Sequence, residues 1–145
     1  MKSKKFQTRV GQLKNFKNAM EIFKSKIRYT QQPVGEVFHE LSEQIDGKVG
    51  EVFSKSLEYG DINIGWVESL LSVGLELNSE DLEILSNLGN TLGRTDLEGQ
   101  INQIELVSTF LDSQIEKAEK DNEKFSKMYK TLGIVTGAII VILLI

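Results

Sequence analysis

The sequence of 145 residues has no cysteine, one proline, one histidine and one tryptophan. The absence of cysteine excludes a disulfide framework, thiol catalysis and cysteine-ligated metal, and it suits a reducing cytoplasm. The histidine, His39, has no second histidine or cysteine nearby, so it predicts a structural or solvent-exposed side chain rather than a base or a metal ligand.

Acidic residues recur on common helix faces, as in Glu36 with Glu40 and Glu80 with Glu83. Di-metal carboxylate bundles also need paired Glu-x-x-His motifs, and the sequence has none. It has no phosphate loop, dinucleotide fingerprint or nucleophile elbow either. We therefore expect no catalytic residue, no metal, no cofactor and no small-molecule substrate.

Charge is divided unevenly along the chain, although the net charge is only −4. Residues 1–28 hold nine basic and one acidic residue, residues 29–116 hold three and seventeen, and residues 117–145 hold five and three. Basic ends are attracted to an anionic membrane surface by about 1 kcal/mol per charge. A solvated helix face is an equally weighted interpretation of residues 1–28. The acidic middle, which lacks a basic and aromatic platform, argues against a nucleic-acid partner.

Apolar residues recur at steps of three and four, which predicts an all-α protein. A long first helix spans about residues 6–30, four short helices follow, and a long last helix begins near residue 95. Pro33 is expected in the first turn of the second helix, Asp61 is expected to cap the fourth, and Asn78 or Ser79 the fifth. The fold class is a six-helix bundle whose first and last helices are antiparallel. The inward side chains expected in helices one to five are Val10, Leu13, Phe16, Ala19, Met20, Ile22, Phe23 and Ile27; Val34, Val37, Phe38, Leu41 and Ile45; Val49, Val52, Phe53 and Leu57; Ile62, Trp66, Val67, Leu70 and Leu71; and Leu82, Leu85, Leu88 and Leu92.

The last helix is predicted to start with a capping box formed by Thr95 and Glu98. A packing seam of period 3.5 then follows, made by Leu97, Ile101, Ile104, Ser108, Leu111, Ile115, Ala118, Asn122, Phe125, Tyr129 and Leu132.

From Leu132 to Ile145 the chain carries no ionisable side chain. Fourteen helical residues reach about 21 Å, short of the roughly 30 Å hydrocarbon core, and a buried core helix is the alternative. A helix that is apolar on every side needs surrounding layers that this small chain does not provide. The sequence therefore predicts a membrane anchor at residues 132–145 and a cytoplasmic helical bundle at residues 1–131. The lysines before the anchor set this orientation by the positive-inside rule, and Gly133 with Gly137 would let another helix approach.

One stretch, Leu88 to Gln100, is rich in glycine where helices meet. Glycine inside a helix costs roughly 1 kcal/mol relative to alanine, so Gly89 indicates a close approach by another helix. Gly93 is expected to end the helix in a left-handed conformation. Tight hairpin packing is the simplest interpretation of the pair.

The chain resembles the stage III sporulation protein AB family of endospore-forming bacteria. The resemblance rests on the spacing of Leu88, Gly89, Leu92, Gly93, Asp96 and Gln100, on Leu132-Gly133 opening an apolar end, and on Ile27 and Tyr29 before Pro33. Family members usually also have an N-terminal apolar segment, and this chain begins at the basic flank of that segment.

What the resemblance implies is a membrane protein of the mother cell, facing the forespore, in the channel complex that joins the two cells. The family's soluble domain is similar to the cytoplasmic domains of the type II secretion platform protein. Its expected partners are the complex's secretion-type ATPase, protein AA, and the other membrane proteins of the channel. The alternatives are a platform of a general secretion or pilus system and a tail-anchored helical regulator.

Overall fold

The structure is a computed structural model, and it describes the backbone of residues 2–144 and the side chains of residues 8–121. Six α-helices and no strand occur in that backbone: α1 (Lys2–Thr30), α2 (Val34–Gln44), α3 (Gly47–Ser56), α4 (Ile62–Ser72), α5 (Ser79–Leu88) and α6 (Leu97–Leu144). The prediction of an all-α protein with long first and last helices is confirmed.

The two long helices pack side by side and run in opposite directions. Lys17 donates to Asp112, and Ser108 donates to Glu21 at 3.0 Å, so later residues of α1 meet earlier residues of α6. Lys14 lies 2.8 Å from Glu119 in the same register. The basic residues of α1 therefore neutralise acidic residues of α6, a use that the charge pattern alone did not indicate.

The core lies between this helix pair and α2 to α5, and aromatic rings fill its centre. Phe38 stands edge-on to Phe53 with ring centroids 5.0 Å apart, and Trp66 lies 5.2 Å from Phe53. Phe16 meets Trp66 edge-on at 6.2 Å. Edge-to-face pairs at such distances stabilise a core beyond the area that they bury. The prediction that Trp66 is a core residue is confirmed.

A charged cluster is buried where α1, α5 and α6 meet. Arg9 donates two hydrogen bonds to Asp81, at 2.8 and 3.1 Å, and Gln114 donates a third at 2.7 Å. The Asp81 side chain is inaccessible to solvent. Burial would raise its pKa, but the hydrogen bonds from Arg9 and Gln114 outweigh that effect and hold the pKa below its usual value. Sequence periodicity gave no indication of this cluster.

The helix starts show which capping predictions hold. Asp61 caps α4 by accepting from the Asn63 amide, and Asn78 forms a capping box with Asp81 at the start of α5. Pro33 stands one position before α2 rather than in its first turn. It still begins the helix, because its carbonyl accepts from the Val37 amide.

The capping box predicted from Thr95 and Glu98 is wrong. Asp96 caps α6 by accepting from the Gly99 amide at 2.8 Å, and the helix begins at Leu97. Asp96 is a better cap than Thr95 here, because its carboxylate is stabilised by the positive N-terminal end of the helix dipole.

Three apolar residues predicted to face inward are instead exposed. Leu57 and Leu97 lie at helix ends, each 38% accessible, and Leu71 is 63% accessible. The remaining seam of α6 is buried or half-buried from Ile101 to Ala118, and Gln100, Val107 and Gln114 join it. Leu92 is buried as predicted, but it lies in the turn after α5 rather than in that helix.

The predicted anchor, residues 132–145, lies outside the described side chains, as does the seam from Asn122 onward. Between residues 8 and 121, no helix has the length and apolar character needed to cross a membrane. The division of the chain at residue 131 remains a prediction.

Gly11 on α1 and Gly89, the residue that follows α5, should respond differently to replacement by alanine. Gly11 is exposed with nothing near its missing Cβ, so Gly11→Ala is expected to raise the free energy of unfolding by about 0.5–1 kcal/mol. Gly89→Ala should bring no such gain, because its Cβ would lie 3.1–3.3 Å from Ser86, Val67 and Trp66. Urea unfolding followed by circular dichroism measures both. Equal stabilisation by the two variants would refute the close approach at Gly89.

Candidate interaction site at the turn between α5 and α6

The turn between α5 and α6, here called the signature turn, is held by side chains of the stretch from Leu88 to Gln100, here called the signature stretch. Gly93 adopts a left-handed backbone with φ of 68°, a conformation that glycine takes without steric cost. Its amide donates to the Gln100 side chain at 2.9 Å, which ties the turn to the first part of α6. Asp96 caps the same helix. Gly93, Asp96 and Gln100 thus form one turn structure.

The preceding half of the signature packs against α4. Leu88 and Leu92 are fully buried in the core. Gly89 lies between them, within van der Waals reach of Trp66 and Val67 on α4. Because a larger residue at this position would separate the helices, the spacing of leucine and glycine serves packing here.

The first turn of α4 binds the signature turn directly. The Asn63 side-chain amide is buried and donates to the carbonyl oxygens of Gly89 and Leu92, the second at 3.0 Å. Arg94 donates to Asp61 at 3.2 Å from the far side of the turn. Two carbonyls left free after the end of α5 are therefore satisfied from α4.

Beside this joint lies an open groove of about 280 Å³, lined by Asn63, Ile64, Val67, Glu68, Gly89, Asn90 and Arg94. Its α4 wall continues along the outer face of that helix to Leu71. We call Ile64, Val67, Glu68 and Leu71 the α4 strip. Ile64 is 55% accessible and Val67 is half-buried. The site thus combines a rigid turn with an apolar, accessible helix face.

The sequence predicts the turn but neither the α4 strip nor the role of Asn63. The reason is that α4 carries apolar residues on several sides, so its periodicity does not define one inward face. Trp66 and Leu70 occupy the core, which leaves Ile64 and Leu71 on the solvent side. The sequence feature that indicates an exposed apolar face is the number of large apolar residues in α4, which is more than one buried face can hold.

Charge on the described surface is strongly biased. Every lysine and arginine from residue 8 to residue 121, except Lys48, lies within 4.0 Å of a carboxylate. Lys48 donates to the Gly74 carbonyl. In the same part of the chain, no cation forms an ion pair with Glu58 or Glu68. The surface of the short helices is therefore left with a net negative charge.

In the described part of the chain, the other candidate groups form isolated pairs rather than a catalytic or metal-binding cluster. His39 is exposed and pairs with Glu43 at 2.9 Å. The Gln32 side chain donates to both Glu36 and Glu40 at 3.0 Å. Glu80 pairs with Lys117 at 3.5 Å. Over residues 8–121, no cluster of three or more acidic or histidine side chains could hold a metal ion.

The left-handed backbone at Gly93 can be tested by its effect on the free energy of unfolding when the glycine is replaced. Gly93→Leu is expected to cost about 1–2 kcal/mol of unfolding free energy, because a side chain with Cβ disfavours this backbone conformation. Gly93→Asn is the matched control and should cost less, since asparagine tolerates the left-handed region. Urea titration compares the two. A leucine variant as stable as the asparagine variant would contradict the turn geometry.

Together, these features define a small all-helical bundle with an acidic surface and a tightly built turn before its longest helix. In a comparison with family models, the model of stage III sporulation protein AB matches residues 1–145. The chain belongs to the stage III sporulation protein AB family.

Among solved structures, the chain is similar to one described as stage III sporulation protein AB, with a TM-score of 0.73 and 24% sequence identity. The match covers 80% of this chain and 97% of that one. At this level of identity the likeness shows the fold. A comparison with curated proteins finds no match. Family membership supports a role in sporulation.

Proposed function

We propose that the protein is a non-enzymatic, membrane-anchored component of the channel complex between mother cell and forespore, and that it serves as the platform for a secretion-type ATPase. The observation that carries the proposal is family membership over the whole chain. The resemblance to the type II secretion platform protein supports a secretion-type ATPase as the partner.

The charge distribution supports a platform that recruits a protein. The described cations are almost all paired internally, whereas Glu68 on α4 and Glu83 on α5 form no ion pair within residues 8–121. Such a surface attracts a basic partner and accelerates its association by long-range electrostatics. A nucleic-acid partner would be repelled by the same charges.

The geometry of α6 supports a partner on the side away from the membrane. The helix runs from Leu97 to Leu144, and at 1.5 Å per residue the turn before Leu97 lies about 50 Å along the axis from residue 132. With residues 132–145 in the bilayer, the signature turn and the α4 strip face the mother-cell cytoplasm. A cytoplasmic ATPase could reach them there.

The proposal is tested by immobilising the full-length chain in a mild detergent and measuring retention of the sporulation ATPase at low and high salt. Retention at low salt that weakens at high salt is expected, because attraction between exposed charges is screened within about 10 Å at 0.1 M salt. No retention at either salt, from a chain shown to be helical and monodisperse, would contradict the platform function.

A further inference from the structure

The α4 strip is an apolar face with no partner within the described part of the chain. Ile64 and Leu71 are seven residues apart and therefore lie two turns apart on one side of the helix. They are 55% and 63% accessible, while Trp66 and Leu70 on the opposite side are buried. Val67 extends the apolar surface into the groove beside Gly89. A continuous line of this kind suits a second helix laid alongside α4.

A carboxylate within this line defines the charge of its occupant, and the connection that leads into α4 is acidic as well. Glu68 stands between Ile64 and Leu71 and lines the groove. Glu58 is exposed in the connection that leads into α4. Asp61 is already neutralised by Arg94, at 3.2 Å. An occupant with lysine or arginine beside its apolar residues would pair with Glu68 and bury both apolar side chains.

Within residues 8–121, a second copy of this chain offers no lysine or arginine that lacks an ion pair or hydrogen bond of its own. The described cations of α1 are bound to α6 and α2, as in Lys14 with Glu119 and Lys26 with Glu40. Docking one α4 strip on another would bring Glu68 against Glu68, which opposes association. The apolar pair Leu106 and Phe110 on α6 is also exposed. It serves as a comparison surface on a different helix.

We propose that the α4 strip docks a basic amphipathic helix, whose apolar side chains cover Ile64 and Leu71 and whose cations pair with Glu68. This inference rests on the proposed function, because the helix is assigned to the ATPase that the platform seats. The rigid joint between α4 and the signature turn holds the strip in place, so that docking orders only the partner's side.

The test measures the dissociation constant of the full-length chain, held in lipid nanodiscs, for the ATPase. Ile64→Asp and Leu71→Asp are each expected to raise it by roughly tenfold. Glu68→Lys should also raise it and should reduce its dependence on salt, since one attractive charge becomes repulsive. Leu106→Asp is the matched control, an exposed leucine on α6, and should leave binding unchanged.

A photo-crosslinking residue placed at Leu71 gives a second measurement that does not disturb folding or charge. Mass spectrometry of the crosslinked peptide should identify a segment of the ATPase with net positive charge and helical apolar spacing. Crosslinking to an acidic segment, or to another copy of this chain, would overturn the inference.

The outcomes separate the two proposals. Binding of the unmodified chain with unchanged affinity in the three α4 variants would refute the docking site and leave the platform function standing. Absence of binding by the unmodified chain would refute the platform function and the docking helix with it. Loss of binding in the Leu106→Asp control to the same extent would also refute the α4 strip as the specific surface.

Discussion

Asp81→Asn is expected to lower the free energy of unfolding by about 3–5 kcal/mol, a large part of the 5–15 kcal/mol typical of a small domain. The carboxylate accepts from Arg9 and Gln114 in a site closed to solvent. Asparagine removes its charge and takes from the buried Arg9 guanidinium the carboxylate that accepts both of its hydrogen bonds. Urea unfolding of the full-length chain in mild detergent, followed by circular dichroism, measures the loss.

Asp112→Asn provides the matched control, because Asp112 on α6 also pairs with a cation of α1, Lys17, but in an exposed position. Its expected cost is below about 1 kcal/mol. A cost at Asp81 no larger than that at Asp112 would show that the buried cluster does not hold α1, α5 and α6 together.

The same cluster gives the stability a defined pH dependence. The pKa of Asp81 is lower in the folded chain than in the unfolded chain. Its contribution is therefore complete above the unfolded pKa of about 3.9 and is lost as pH falls through the folded value. Unfolding free energy should fall below about pH 4, less steeply in Asp81→Asn. Parallel pH profiles for the two proteins would contradict the assignment.

Trp66→Ala is expected to cost about 3–5 kcal/mol and to damage the interaction site as well as the core. The ring packs between Phe16, Phe38 and Phe53, and its indole N–H donates to the Leu85 carbonyl at 2.7 Å. Truncation leaves a cavity and an unpaired carbonyl beneath the groove.

Trp66→Phe separates these effects, since it keeps an aromatic ring and removes the hydrogen bond. We expect Trp66→Phe to lower the free energy of unfolding by less than Trp66→Ala does and to retain ATPase binding. The measurement is again urea unfolding, paired with the binding assay. Equal stability of the alanine and phenylalanine variants would contradict the close packing of this ring.

The helical architecture could be predicted because apolar spacing determines it locally. The stripe from Leu13 to Ile27 on α1 is buried as its period indicates. Asp61 and Asn78 cap the helices that follow them. Each of these features depends on residues within a few positions of one another.

The parts that could not be predicted depend on contacts between distant residues. Arg9 and Asp81 are 72 positions apart, and their spacing carries no local signal. Asn63 reaches Leu92 across 29 positions. The exposure of Leu71 follows from which side of α4 the core selects. For the candidate site, the sequence therefore predicts the turn glycines but not the helix face beside them.

The most direct test of the membrane platform is fractionation of sporulating cells. With the full-length chain present, both the chain and the ATPase are expected in the membrane fraction. Removing residues 132–145 should release both to the soluble fraction and lower the titre of heat-resistant spores. An ATPase that stays at the membrane, with normal spore titre and a soluble truncated chain, would contradict the account.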